Sequence, residues 1–210
     1  MSLRSSVLLI AWIAGGCTQA AQTVETAGGT VVMRDEVSLR DAMRRLWTDH
    51  VVWTRGYIIA ATTNDPGTPQ VAARLMRNQE DIGNAVKSYY GEAAGAKLTN
   101  LLKEHISIAV DLVAAAKAGD NAKVAEADRR WHNNSAEIAT FLSSANPNWP
   151  RETLRTMLDE HLRLTTEEAK ARLEKRWADD TRVFDQILDQ ALHMADALSD
   201  GIIKQFPNRF

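Results

Sequence analysis

From Arg34 onward, apolar residues recur three and four positions apart and strand-like alternation is absent, which predicts helices throughout. Turn formers divide the pattern. Asp65-Pro66-Gly67 ends a first helix, and Thr68 followed by Pro69 predicts an N-cap with proline in the opening turn. Gly91 follows Tyr89-Tyr90 as a C-cap. Gly119-Asp120 joins two helices so tightly that they must run antiparallel. Asn146 to Pro150 separates the next pair. Six helices result, at about 36–62, 69–90, 93–118, 121–145, 150–174 and 177–204. The fold class is all-α, a helical bundle.

Beneath this pattern lies an internal repeat. Leu46-Trp47-Thr48-Asp49-His50, Leu101-Leu102-Lys103-Glu104-His105 and Met157-Leu158-Asp159-Glu160-His161 share two apolar residues, a free position, an acid and a histidine. The histidines are 55 and 56 residues apart. Met43, Leu98 and Leu154 precede them by two helical turns, and Trp53, Ile108 and Leu164 follow by three positions. A weaker echo matches Leu75-x-x-Asn78-x-x-Asp81 to Trp131-x-x-Asn134-x-x-Glu137, with His193-x-x-Asp196 as a degraded third copy. Three helical hairpins are predicted, each carrying one histidine on its first helix. The third lacks the Gly-Asp turn and has Lys175-Arg176 in its place.

The amino terminus breaks the pattern. Arg4 is followed by the apolar run Val7 to Ala14, about eight residues where a spanning helix needs roughly 20, and this fits the apolar stretch of a signal peptide. Ala14-Gly15-Gly16-Cys17 resembles the bacterial lipobox, in which small residues precede a cysteine that receives diacylglyceryl. The expected division is a lipoprotein signal peptide at 1–16, a flexible tether at 17–33 and the bundle at 34–210. An ordinary secretory signal cut near Ala20 is the alternative, and it would yield a secreted protein. Lipidation at Cys17 would anchor the bundle on the extracytoplasmic face of a bacterial membrane.

Composition narrows the partners. Twenty-five Lys and Arg stand against 27 Asp and Glu, for a net charge of −2. That excludes a strongly basic nucleic-acid binder. A single cysteine excludes an internal disulfide framework and a cysteine-rich metal site. An envelope protein partner remains open.

The chemistry rests on the histidines. Positions −7, −4, −3, +3 and +4 share a helix face with position 0, so His50, His105 and His161 are each surrounded by apolar side chains and should point inward. Neutral imidazole is a common metal ligand, and three converging copies would suit zinc or copper, or iron with added carboxylates. Asp81 and Glu137 are the candidate oxygen ligands; Asn78, Asn134, His193 and Asp196 are candidate outer hydrogen-bonding partners. No established metal signature matches this spacing. The alternative is structural: each histidine satisfies a neighbouring helix, and the outer faces bind another envelope protein. A flat-ligand pocket such as haem, lined by the tryptophans, is a further alternative. Arg55 could clamp an anion or form a bundle salt bridge, and His132 has no counterpart in the other repeats. No coupled nucleophile and base stands out, which argues against an enzyme.

Taken with Phe141 to Pro147 and the ending Gly201 to Pro207, the repeated Leu-x-x-acid-His segments resemble a group of uncharacterised bacterial helical-bundle envelope or secreted proteins. The resemblance covers about residues 38–208. It implies the fold and no particular activity.

Overall fold

A computed structural model describes residues 28–210, which form six α-helices and no strand among the described residues. The helices are α1 (Gly28–Thr63), α2 (Thr68–Tyr90), α3 (Glu92–Ala118), α4 (Asn121–Ala145), α5 (Arg151–Leu173) and α6 (Trp177–Gln205), followed by one 3₁₀ turn at Pro207–Arg209. The first helix begins at Gly28, so residues 28–33, expected in the tether, belong to α1. Gly67 caps α2 one residue ahead of the expected Thr68; its N–H donates to Asp65 Oδ1 at 2.6 Å, while the Thr68 hydroxyl donates back to the Asp65 carbonyl. The lipobox and Cys17 lie outside the described residues. No helix among the described residues is long and apolar enough to cross a membrane.

The three hairpins turn in the same way. Asn64, Gly119 and Lys175 all adopt left-handed backbone, with φ of 59°, 69° and 59°. They too are spaced by 55 and 56 residues. Glycine enters this region without steric cost and asparagine tolerates it, whereas Lys175 adopts it against the preference of a side chain with a Cβ. A reversed chain at each of these points forces α1/α2, α3/α4 and α5/α6 into antiparallel pairs.

Each helix packs on its neighbours in the chain, and α6 closes back on α1. Across the middle, α1, α3 and α5 touch one another. These three odd-numbered helices run parallel and form an inner trio, with the even-numbered helices packed around them. Equivalent positions of the trio therefore meet in layers along the axis. Met43, Leu98 and Leu154 form one buried layer; Trp47, Leu102 and Leu158 form the next. The histidine layer follows, and beyond it Thr54 and Thr165 flank Ala109.

Candidate functional site

His50, His105 and His161 are all buried, at 2–3% exposure, and they converge. The His161 ring lies 5.6 Å from that of His50 and 6.2 Å from that of His105, centroid to centroid. Trp47 approaches His50 edge-on and Trp131 lies beside His105, so indoles wall part of the layer. Burial holds all three imidazoles in the neutral form. It pushes His105 down to about 3 and His161 to about 4, and mutual repulsion between the rings adds to the depression at His105. His50 is lowered well below its ordinary value by burial and by both other histidines.

Every ring is oriented by a carboxamide on the partner helix of its own hairpin. Asn134 Nδ2 donates to the Leu101 carbonyl at 3.1 Å, which turns Oδ1 toward His105. Nδ1–H of His105 then donates to Asn134 Oδ1 at 3.0 Å. In the third hairpin Gln190 repeats this: Nε2 donates to the Met157 carbonyl at 2.9 Å, and Oε1 accepts from His161 Nδ1 at 3.2 Å. In the first, Asn78 Nδ2 donates to the Leu46 carbonyl at 3.0 Å, and both Asn78 and Gln79 reach His50. Each clasped carbonyl lies one turn before its histidine. At His105 and His161 Nδ1 is protonated and engaged, so the lone pair resides on Nε2; at His50 the Gln79 amide nitrogen donates to Nδ1 at 3.3 Å, so the ring proton resides on Nε2.

Sequence reasoning placed the three histidines, Asn78 and Asn134 in one site, and the structure brings these five together. It does not bring in the proposed oxygen ligands. Glu137 is exposed on the outer surface near Lys97 and Arg151. Asp81 is only half-buried, unlike the fully buried histidines. His193 is exposed, and Asp196 pairs with Arg44 at 2.7 Å on the outside of α1 and α6. The reason is register: the third copy of the Asn78/Asn134 position is Gln190, another 56 residues on, three residues before His193. Carrying the same period forward one more step would have found it. Gln79, adjacent to Asn78, had no sequence signal. Among the described residues, no three His, Cys, Asp or Glu side chains already stand at metal-ligand spacing.

Small cavities of about 20 Å³ flank the layer on both sides. One lies among Thr54, Ala109, Thr165 and Trp131, the other among Trp47, Leu102 and Leu158. Each has room for about one water molecule. Both threonine hydroxyls are already committed, donating to the His50 and His161 carbonyls at 2.7 and 2.8 Å.

A second buried polar group lies two turns beyond the histidines. Arg55 forms an ion pair with Glu168 and a two-pronged one with Asp180, at 2.8 and 3.1 Å, and Arg172 binds Asp180 from the other side at 2.9 Å. Arg55 also stacks over Phe184 and Arg172 over Trp177. Burial pushes the Glu168 carboxyl up to about 7 against the opposing pull of Arg55. Arg55 is thus a salt-bridge residue, already saturated by carboxylates. His132, the unrepeated histidine, sits on the exposed face near Asp159.

No family model, curated protein or solved structure matches the chain. The functional reading therefore rests on the geometry.

Proposed function

We propose that the chain is a lipid-anchored envelope protein that holds a transition-metal ion between His50, His105 and His161. Cys17 supplies the anchor, and the three hairpins are copies of one unit, each contributing one imidazole. Storage, buffering or sensing of the metal fits such a site better than catalysis.

One observation carries the reading: three neutral imidazoles meet on the bundle axis, each held through Nδ1 by a carboxamide. A metal bound about 2.0–2.1 Å from each nitrogen would place ring centroids roughly 5.3–5.6 Å apart. Two of the three ring pairs, His50–His161 at 5.6 Å and His105–His161 at 6.2 Å, lie within about 1 Å of that spacing. The ligand set is nitrogen only, since Asp81 and Glu137 stand elsewhere.

The second reading has its own observation. A carboxamide already satisfies each imidazole, so the layer is a self-sufficient way of packing three hairpins, with the outer faces left to an envelope partner. Metal analysis of the tag-free exported protein separates the two. Near-stoichiometric metal, absent from a helical His50→Gln/His105→Gln/His161→Gln variant, supports the first. Metal-free protein that gains nothing on titration selects the second. Fatty-acid labelling that survives Cys17→Ser would overturn the anchor.

A further inference from the structure

The bundle has two unlike ends. The hairpin turns at Asn64, Gly119 and Lys175 make one. The other gathers the starts of α3 and α5, the closing turns of α2, α4 and α6, and the final 3₁₀ turn. Five aromatic rings meet there. Tyr90 lies 5.6 Å from Trp149 and 5.3 Å from Phe206, and Tyr89 lies 5.9 Å from both Phe206 and Phe210. Trp149 is buried, whereas the other four are only part-covered at the rim of the core. At the turn end the exposed Trp177 stacks with Arg172 instead.

The aromatic end is also braced and rimmed with cations. Asn146 Nδ2 donates to the Tyr90 hydroxyl at 2.8 Å, that hydroxyl donates to Gln205 Oε1 at 2.7 Å, and Gln205 Nε2 donates to the Ala145 carbonyl at 3.1 Å. The ends of α2, α4 and α6 are thereby tied together. Arg209 donates to the Ser88 carbonyl at 2.8 Å and lies over the Tyr89 ring. Arg151, Lys204 and Arg209 are exposed and form no ion pair among the described residues. Asp35, Glu36 and Glu152 stand among them, while Glu92 and Asp200 are held by Lys87 and Arg40. At the turn end, by contrast, Arg176 alone binds Glu167, Glu174 and Asp179.

Resting on the anchor reading above, we propose that this end is seated in the headgroup layer of a phospholipid bilayer, with Tyr89, Phe206 and Phe210 against the lipid and Arg151, Lys204 and Arg209 on anionic phosphates. Two observations choose lipid over a protein partner. α1 has 36 residues against 23 in α2, so it runs on past this end, and its opening residues Gly28 to Met33 carry no charge. Ten residues separate Cys17 from Gly28, a reach of at most about 35 Å. An anchor at Cys17 therefore keeps this end beside the membrane, and the turn end, the length of α1 or roughly 50 Å further on, faces away. Aromatic rings settle at the boundary between headgroups and hydrocarbon, and each basic residue gains from an anionic surface. The braced helix ends present these side chains without a further ordering cost.

The test uses the full chain carrying Cys17→Ser, so that no acyl chain contributes, in flotation with vesicles of phosphatidylcholine alone or mixed with phosphatidylglycerol. Residues 1–27 are common to every variant, so differences between variants report on the bundle. Binding to the anionic vesicles should exceed binding to the neutral ones. It should fall about 25-fold in Lys204→Gln/Arg209→Gln, two exposed positions, with helicity checked by circular dichroism. Phe210→Ser should weaken binding to both kinds of vesicle. Trp177→Ser and Lys175→Gln, at the turn end, should leave it unchanged. Equal binding by all variants, equal losses at the two ends, or no binding by the parent chain overturns the proposal. Self-association that Phe210→Ser abolishes, without vesicle binding, also overturns it by assigning this end to a second copy. Fatty-acid labelling of the wild-type chain is read separately: a labelled chain whose Cys17→Ser form never floats keeps the anchor and loses the surface, and an unlabelled chain that floats keeps the surface and loses the anchor.

Discussion

Two buried polar regions share α1 and α5, and they are built on opposite principles. The histidine layer is neutral, occurs in all three hairpins and is completed within each: imidazole and carboxamide stand 28 or 29 residues apart, on facing helices of one pair. The Arg55–Glu168–Asp180–Arg172 cluster is charged, occurs once and joins the first hairpin to the last. Arg40 with Asp200 and Arg44 with Asp196 repeat that long-range join along the same seam. Neutral pairs can be copied with the hairpin because each is complete in itself. Ion pairs act where α6 must find α1 and close the ring, since matched charges there disfavour mispairing of similarly patterned hairpins.

The largest test of this contrast is pH. Unfolded histidines take up protons below about 6.5, whereas the folded ones resist down to about 4 at His161 and about 3 at His105. Their contribution to stability is full above pH 6.5 and is lost as pH falls toward the folded values. Glu168 works the other way: its folded carboxyl, raised to about 7, favours the native state at low pH and loses that contribution as pH rises through 7. Between about pH 4.5 and 6.5 three histidines outweigh one carboxyl by roughly two protons. Metal-free protein should therefore gain roughly 2–3 kcal/mol of stability per pH unit across that window. Urea melts at several pH values measure this, and a flat profile would show that the layer is solvated.

Breaking the charged cluster comes next. Arg55→Ala leaves Glu168 and part of Asp180 buried without a counter-charge and should cost about 3–5 kcal/mol in chemical denaturation. Arg55→Met combined with Glu168→Leu should recover most of that loss. A double variant as unstable as the single one would mean that the ion pair contributes more than its own desolvation.

The smallest effect separates true members of the neutral layer from look-alikes on the surface. Asn134→Ala strips partners from His105 and the Leu101 carbonyl and should cost about 1–3 kcal/mol. His193→Ala should stay within about 0.5 kcal/mol. Equal losses in thermal melts would contradict the assignment of Gln190, rather than His193, as the third orienting residue.

Much of this was legible in the chain. Helical periodicity and turn residues gave six helices to within a few residues, except at the start of α1, where the Gly28-Gly29 pair reads as a linker yet lies in the helix. The apolar faces around His50, His105 and His161 announced that they point inward, because face membership follows from residue spacing alone. The turn at Lys175 was harder, since lysine carries none of the signal that glycine gives at 119.

The sequence by itself determined the helices, the hairpins and the inward set of each histidine, since all three follow from local backbone geometry and the 3.6-residue period. Only the tertiary structure decided that α1, α3 and α5 form the inner trio and set the His161 ring 5.6 Å from that of His50 and 6.2 Å from that of His105. It also decided that Asp81 and Glu137 stay outside while Gln79 and Gln190 come in. A contact between helices depends on how far each is rotated about its own axis, and at 100° per residue a register slip of one to three positions moves a side chain from the core to the surface.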